Sequence, residues 1–341
     1  MGKVTSIVLL VLFLSISSES SFSQYFGKNK PSYRTFDFKL ARTEHFDIYH
    51  YLNDTDRLNK FGNLAEQWYR YHRKLLIDTF RTRNPVILYR NHAEFQQTSA
   101  ILSDIGIGTG GVTESLKRRI VMPFAFSDYQ TSHVLGHEMV HAFQYHILEQ
   151  YEDLSPASIT RVPLWMIEGM AEYLSVGNSD AYTAVWMRDA LLSNEFPTLE
   201  ELSRSGQYSP YRFGQAFWSY IASRYGEQYI RRLFLASAMS GYHTALEDLL
   251  GITPDSLSKE WRETLANHLL TRQDSSYTLL GEKLFSKKNA GRYNLYPSVS
   301  PDGRHIVVLS ERDIYSLDLF LASAHNGEII DKLYTLSLIH I

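Results

Sequence analysis

The segment between residues 132 and 174 places histidines and glutamates inside two strongly apolar helical patterns, and this limits what the chain can fold into. In "SHVLGHEMVHAFQYH", His137 and His141 are four residues apart, so a helix presents both imidazoles on one face, about one turn apart. Their neighbours are mostly uncharged, as on a helix enclosed in a protein interior. This pattern predicts a buried helix that can offer two nitrogen ligands to one cation.

Glu138 follows the first histidine and points to the neighbouring face of the predicted helix. A catalytic zinc site needs nitrogen or oxygen ligands and one open position for water, and a carboxylate beside that water can accept its proton. The pentapeptide therefore supplies two ligands, His137 and His141, and a general base, Glu138. Because an HExxH match also arises by chance, the prediction depends on the apolar surroundings and on a third ligand.

A candidate third ligand lies in "PLWMIEGMAEYLS", where Glu168 and Glu172 are four residues apart on a second apolar helix pattern. Two buried carboxylates on one face are costly unless cations or hydrogen-bond donors accompany them. We therefore predict Glu168 as the third zinc ligand and Glu172 as the acceptor for the free N–H of His137. His133 would lie about 12 Å along the helix from His141, so we interpret it as a core or supporting residue.

The HExxH motif followed by W-x-x-E-G-x-A-E-Y resembles the zincin peptidases with a glutamate ligand, the gluzincins of the thermolysin and aminopeptidase N group. The resemblance covers about residues 100–225. It implies a zincin-like metallopeptidase domain in which Glu168 binds zinc and Glu172 supports a zinc histidine.

The segment "YRFGQAFWSYI" resembles the Tyr-x-x-Gly motif of the aminopeptidase branch. This resemblance implies that the phenol of Tyr211, with Gly214 completing the motif, stabilises the oxyanion of the tetrahedral intermediate, a role that requires an O–H donor opposite the zinc. The chain has 23 tyrosines, so the assignment depends on the motif and not on the residue type.

One departure from the aminopeptidases concerns the strand that pairs with the substrate. They carry Gly-x-Met-Glu-Asn there, and the glutamate binds the free amine of the substrate. Aligned on Gly110 and Gly111, that position is Thr113 in this chain. Glu114 is adjacent, but neighbouring side chains of a strand face opposite sides. The departure favours an endopeptidase over an aminopeptidase.

Around these motifs the sequence predicts an α+β domain over residues 24–270. The patterns "HFDIYHYL", "PVILYR" and "RRIVMPF" are typical of strands, and a long amphipathic helix is predicted at about 56–80. Further helices are predicted at 132–147, 163–174, 180–193, 211–238 and 255–270. The fold class expected is a small mixed sheet with helices. A polar, basic stretch at 271–291 is predicted to be a linker.

Residues 292–341 change in character. Turn signals at 301–303 and 326–327 separate short alternating or β-branched runs, which predicts antiparallel strands. The stretch "SVSPDGRHIVVLSE" resembles one repeat of the TolB-type β-propeller. Propellers close with about four to eight blades, so this resemblance implies a partial blade at the front of a longer protein, with an edge that a next blade would cover.

The first 23 residues combine Lys3, an apolar run and small residues before a cleavage site near Ser23, which predicts a secretory signal peptide. The alternative is a membrane anchor, but the run is shorter than the roughly 20 apolar residues that span a bilayer. We expect export to the periplasm or the exterior, with no stable membrane span after cleavage. The absence of cysteine excludes disulfides and thiolate ligands, and the net charge of −3 gives no reason to expect nucleic acid.

Together these patterns predict an exported zinc peptidase acting on a peptide or protein, with a possible protein partner on the propeller. The alternative is a periplasmic scaffold or binding protein that keeps the zincin fold and recruits partners through the propeller. A scaffold has no need of Glu138, which favours the enzyme. Metal content and chelator-sensitive activity would separate the two hypotheses.

Overall fold

The computed structural model describes residues 32–270, 281–291, 293–313 and 317–335. The chain divides into two compact units, one up to Arg272 and one from Gln273 onward. The predicted signal peptide, residues 1–23, lies outside the described residues. Within the described part of the chain, every helix is too short or too polar to cross a bilayer.

A five-stranded mixed sheet forms one layer of the first unit, and its strands lie in the order β1-β2-β3-β5-β4. Strands β2, β3 and β5 run parallel, while β1 and β4 pair antiparallel to them at the two edges. The α+β class predicted from the sequence is confirmed. The strands are β1 (Lys39–Arg42), β2 (Phe46–His50), β3 (Asn84–Tyr89), β4 (Val112–Glu114) and β5 (Arg119–Pro123).

Helices make up most of the rest of the first unit. They are α1 (Thr55–Leu76), α2 (His92–Phe95), α3 (Asp128–Leu148), α4 (Leu164–Val176), α5 (Ala181–Leu192), α6 (Leu199–Arg204), α7 (Pro210–Tyr225), α8 (Gln228–Ser240), α9 (Tyr242–Leu250) and α10 (Pro254–Leu270), with a 3₁₀ helix at Pro156–Arg161.

Helix α3 lies in the interior between the sheet and the other helices. Its N-cap is Ser127, whose hydroxyl accepts a hydrogen bond from the backbone N–H of Gln130 and so satisfies one free donor of the first turn. From Leu135 to Leu148 nearly every side chain is buried. The uncharged surroundings of the HExxH motif are therefore explained by burial on all sides, as predicted.

The prediction of one helix over 211–238 is wrong, because the segment forms two helices that meet at Gly226. This glycine has φ 103°, a conformation that L side chains rarely adopt and that a continuing α-helix cannot contain. Helices α6 and α9 were not predicted. Helix α6 has only six residues, and it begins with a capping box in which Thr198 and Glu201 bond each other's backbone N–H groups.

Helices α4 and α7 cross with their backbones in contact at two glycines. A Cβ atom on Gly169 would lie 2.3 Å from the Cα of Gly214, and a Cβ atom on Gly214 would lie 2.0 Å from the carbonyl oxygen of Trp165. Any larger residue would force the helices apart. The crossing fixes Glu168 on α4 relative to Tyr211, one turn before Gly214 on α7.

The second unit contains one antiparallel sheet in the order β6-β7-β8-β9: Asn294–Val299, His305–Ser310, Asp318–Ser323 and Ile329–Thr335. Turns at residues 301–304 and 324–327 fall where the sequence signals predicted them. The described residues form this single meander and no closed propeller, so the propeller stays a prediction. Of the predicted linker, residues 271–280 lie outside the described residues, while Leu284 and Phe285 pack on the core of this sheet.

Candidate metal-binding site

Three predicted ligands from two helices come together in the first unit. His137 and His141 lie on α3 and Glu168 lies on α4, and their ligand atoms are close enough to hold one metal ion. The Nε2 atoms of the two histidines are 3.2 Å apart. Glu168 Oε2 lies 3.2 Å from Nε2 of His137 and 3.4 Å from Nε2 of His141.

The orientation of the His141 ring follows from the groups around it. The amide nitrogen of Gln144 donates to the carbonyl oxygen of Ile167 at 3.1 Å. The amide oxygen of Gln144 therefore faces Nδ1 of His141, 2.8 Å away, and accepts its proton. With Nδ1 facing Gln144, Nε2 of His141 faces His137 and Glu168.

The partner of His137 is Glu172, one turn after Glu168 on α4. Glu172 Oε1 lies 3.0 Å from His137 Nδ1 and also 3.0 Å from Nε2 of His133. A carboxylate oxygen only accepts, so His137 donates from Nδ1, and its Nε2 is left facing the centre of the site. The structure thus brings Glu172 and His137 together as predicted, and His133 joins them as a second donor to Glu172.

This donor set fits a divalent cation. Two imidazole lone pairs and one carboxylate oxygen lie within hydrogen-bonding distance of one another, and three acceptors repel at this separation unless a positive charge lies between them. Two imidazole nitrogens and one carboxylate oxygen form one of the common ligand sets of catalytic zinc sites. Each histidine is already oriented by a partner on its other nitrogen, as metal-binding histidines commonly are.

Without a metal, a proton on His137 supplies part of the positive charge that the neighbouring carboxylates favour. Burial lowers the pKa of an imidazole, but the hydrogen bonds that His137 donates to Glu168 and Glu172 outweigh burial and raise its pKa to about 10. Burial raises the pKa of Glu168, yet the hydrogen bonds to His137 and His141 bring it down to about 2. The pKa of Glu172 falls for the same kind of reason, through His133 and His137. The carboxylates thus favour a cation here.

Glu138 is held by the edge strand β4. The hydroxyl oxygen of Thr113 lies 2.7 Å from Oε2 and 2.8 Å from the backbone oxygen of Glu138. The strand can approach α3 this closely because residue 111 is glycine: a Cβ atom there would lie 2.8 Å from Cγ of Glu138. Glu138 is buried, and Thr113 fixes the direction of its carboxylate.

Tyr211 lies at the first turn of α7, beside the histidines. Its ring centre is 5.9 Å from that of His137, and the side chain is partly open to solvent. Burial and then the negative charges of Glu168 and Glu138 raise the pKa of Tyr211 to about 12. The phenol therefore keeps its proton at neutral pH and can donate a hydrogen bond.

Arg212 connects three elements behind the site. Its guanidinium donates to Asp180 Oδ2 at 3.1 Å and lies 3.6 Å from Glu172 Oε2. That oxygen of Glu172 is buried and has no hydrogen-bond partner among the described residues. Asp180 in turn accepts from the backbone N–H of Thr183 and caps α5. Arg212 thus ties α7, and with it Tyr211, to the residue that orients His137.

An open cleft runs across the site in two lobes, with volumes of about 470 and 380 Å³. Both lobes are lined by Thr109, Gly111, His137, Glu138 and Tyr211. The larger lobe continues toward Trp186 and Arg212, while the smaller one continues toward Tyr145, Leu164 and Ile167. An extended chain laid along the cleft would therefore have room on both sides of Glu138.

Two further groups of potential ligands occur among the described residues, His133 with His137 and Glu172, and Glu44 with His45 and Glu66. The first group uses Nδ1 of His137, which donates to Glu172, so it already forms a hydrogen-bonded network. The second group is partly exposed and joins His45 to Glu66 at 2.7 Å. Neither group has two imidazole lone pairs directed at one point.

Comparison with known proteins places the candidate site within a peptidase-like domain. A family model described as "peptidase of plants and bacteria" matches residues 113–261. This range contains every site residue predicted from the sequence, from His137 to Tyr211. No protein among the curated ones matches the chain.

The contacts that three residues make around the site were not predicted from the sequence. In the sequence, Thr113 stands where the aminopeptidases carry a glutamate, and no pattern singles out Gln144 or Arg212. Gln144 follows His141 by three residues, a spacing that could have suggested a partner for its Nδ1. The contacts of Thr113 and Arg212 join elements 25 to 40 residues apart, and the sequence contains no local signal for them.

Proposed function

We propose that this protein is a zinc-dependent peptidase. The observation that carries the proposal is the convergence of His137 Nε2, His141 Nε2 and Glu168 Oε2 to within 3.4 Å of one another. The match of residues 113–261 to a peptidase family supports hydrolysis of peptide bonds as the reaction. When bound, a zinc ion supplies Lewis acidity that lowers the pKa of water and polarises a carbonyl.

Glu138 acts as the general base in this proposal. It removes a proton from the attacking water and then returns the proton to the leaving amine of the cleaved bond. Its side chain lines both lobes of the cleft and its carboxylate is held by Thr113, which supports a role for Glu138 beside a bound peptide. Residues that hold a base in one direction reduce the reorganisation that proton transfer requires.

Tyr211 donates a hydrogen bond to the oxyanion that forms as water attacks. The phenol retains its proton well above neutral pH because of burial and the nearby carboxylates. A donor fixed before the reaction stabilises developing charge without further rearrangement. The contact between α4 and α7 at Gly169 and Gly214 keeps this donor beside the ligands.

We propose endopeptidase action in particular. The cleft extends on both sides of Glu138, so a chain can continue past the cleaved bond in both directions. Glu114, the acid nearest to the missing amine-binding position, forms an ion pair with Arg119 at 2.5 Å and is not free to bind an amino terminus. Export, cleavage near Ser23 and partner binding through a propeller also belong to this proposal, on the sequence patterns alone.

The decisive experiment measures zinc content together with cleavage of a mixed peptide pool, with products identified by mass spectrometry. We expect about one zinc per chain and internal cleavage. Glu138→Gln should retain zinc and lose about 10² to 10⁴-fold in rate, because it removes the base without removing a ligand. Tyr211→Phe should retain zinc and lose about 10² to 10³-fold in kcat.

Zinc binding without hydrolysis of any peptide in the pool would contradict the enzyme proposal. Undiminished hydrolysis in Glu138→Gln would contradict the role of the base. If that substitution changes only the binding of a protein partner, the scaffold hypothesis is the better one. Single residues released from one end of each peptide would contradict the endopeptidase proposal and leave the metal site intact.

A further inference from the structure

We propose that a second pocket, remote from the cleft, binds a phosphate or sulfate group. This anion pocket has a volume of about 380 Å³ and lies between the start of β3, the β4–β5 turn and α3. It is lined by Phe80, Arg81, Thr82, Arg83, Asn84, Pro85, Leu116, Lys117, Arg118, Ala142 and His146.

Four of these side chains are cationic, in a chain whose net charge is −3. Arg81, Arg83 and Lys117 form no ion pair with any described residue, and only Arg118 has one, with Glu149 at 2.9 Å. Like charges brought together repel each other, so the three cations without an ion pair favour the binding of an anion in the pocket. The arrangement thus favours a multiply charged anion over a single carboxylate.

His146 supplies a buried donor at the base of the anion pocket. The residue is only 4% exposed, and its Nδ1 lies 2.7 Å from Oδ2 of Asp78, which is buried behind it. Gln150 also donates to Asp78. These contacts occupy the rear nitrogen, and Nε2 of His146 has no hydrogen-bond partner among the described residues. A bound anion would accept a hydrogen bond from Nε2, on the opposite side of the ring from the contact between Nδ1 and Asp78.

The backbone of the β4–β5 turn is consistent with a binding role. Arg118 has φ 52°, in the left-handed region that a non-glycine residue adopts at a cost of about 1 kcal/mol or more. Such positions persist where surrounding contacts hold them and are common at binding sites. Arg118 and its neighbour Lys117 in this turn both line the anion pocket.

A tetrahedral dianion fits these donors best. Guanidinium groups bind phosphate and sulfate oxygens with paired N–H donors, and lysine adds a flexible point charge. The volume of the pocket exceeds that of one phosphate, so the group can belong either to free phosphate or to a phosphomonoester. Both sources share the same oxyanion, and binding constants for the two distinguish them.

The test is calorimetric titration of the metal-free protein with inorganic phosphate and with glycerol phosphate, at constant ionic strength and with glycerol as the uncharged control. Removing the metal prevents phosphate from binding at the candidate metal site. We expect saturable binding with a Kd of about 1 mM or tighter. The double variant Arg81→Ser with Lys117→Ser removes two of the cations and should bind at least about tenfold more weakly. Both residues are exposed, so these substitutions should leave the core undisturbed. The tighter of the two ligands identifies the source.

Lys60→Ser removes one exposed positive charge elsewhere and should change the affinity less than about twofold. An equal loss in this control would show unspecific attraction and overturn the proposal, as would the absence of saturation by either anion. A nitrogen NMR signal of His146 that shifts on phosphate addition supports its role as the buried donor. A signal that stays in place while Arg81 and Lys117 matter would overturn that role. Neither result affects the peptidase proposal.

Discussion

Gly169 and Gly214 bring the backbones of two helices into direct contact, and this contact sets the distance between a proposed ligand and a proposed oxyanion donor. Glu168 precedes the first glycine on α4, and Tyr211 lies one turn before the second on α7. A Cβ atom at either glycine would overlap with the backbone of the other helix. The two glycines thus have a geometric role, and neither takes part in the proposed chemistry.

Gly214→Ala is therefore expected to disturb both stability and the site. The added methyl group meets backbone atoms, which cannot move aside as a flexible side chain would, so we expect a loss of about 1 to 3 kcal/mol in the free energy of unfolding, or more. Thermal unfolding and zinc affinity measure the two effects. Gly206→Ala is the matched control, because a Cβ atom there meets nothing within 4 Å. Equal stability of both variants would contradict the prediction.

Thr113→Val should lower kcat by about tenfold to a hundredfold with unchanged zinc content, because Val has a similar shape but lacks the hydroxyl that directs Glu138. Thr113→Ser keeps a hydroxyl and should recover most of the activity. Steady-state kinetics and metal analysis of the same preparations check this. Unchanged kcat in the valine variant would mean that Glu138 needs no support from β4.

Arg212→Gln should weaken zinc binding by about tenfold to a hundredfold. The substitution removes the only cation near Oε2 of Glu172 among the described residues, and Glu172 then holds His137 less firmly. Arg212→Lys should recover part of the affinity, since it restores a charge without the planar donor group. The exposed Arg188→Gln is a control for loss of charge. Competition with a chelator gives the affinities, and identical values for all four proteins would exclude this role of Arg212.

Acidification should destabilise the fold through His72, which is fully buried in α1. Burial lowers the pKa of His72 to about 4, from 6.5 for an exposed histidine. Its Nε2 donates to the carbonyl oxygen of Leu174, and its Nδ1 is buried without a partner, so a proton on Nδ1 would leave a charge unsolvated. Below pH 6.5 the unfolded chain therefore binds a proton that the native chain does not, and stability falls until about pH 4.

The loss in the free energy of unfolding between pH 6.5 and pH 4 amounts to about 3 kcal/mol, at about 1.36 kcal/mol for each unit of difference in pKa between the folded and unfolded chains. Urea unfolding of the metal-free protein between pH 7.5 and 4 measures it. His72→Phe should be less stable than the original at pH 7.5, because it loses the hydrogen bond to Leu174, but should lose less stability on acidification. The exposed His268→Gln should keep the original pH dependence. A parallel decline in all three proteins would contradict the assignment to His72.

The sequence predicted the convergence of His137, His141, Glu168 and Glu172 because each pair is four residues apart on a helix, where spacing alone sets the face. The apolar residues around each pair then indicated that the two helix faces lie in the interior. Gln144 obeys the same helical geometry and could have been predicted. The roles assigned to these residues in zinc binding stay predictions.

Thr113 and Arg212 could not be predicted in the same way, because their contacts depend on how a strand and a distant helix pack on α3 and α4. A threonine on a strand or an arginine near a helix start has many ordinary explanations. The break at Gly226 has a different cause. A glycine within an amphipathic pattern is compatible with a continuous helix, and only the observed φ of 103° shows that the chain turns there.

Part of the cleft wall comes from exposed residues outside the buried helical turns that carry the proposed ligands. The ligands belong to α3 and α4 in the interior, whereas Thr109 and Gly110 belong to a loop, Trp186 to the exposed side of α5 and Leu164 to the outer end of α4. Substitutions in these walls change the shape offered to a polypeptide without touching the buried core. Under the proposed peptidase function, related chains could diverge in the peptides that they bind while the metal-binding residues stay the same.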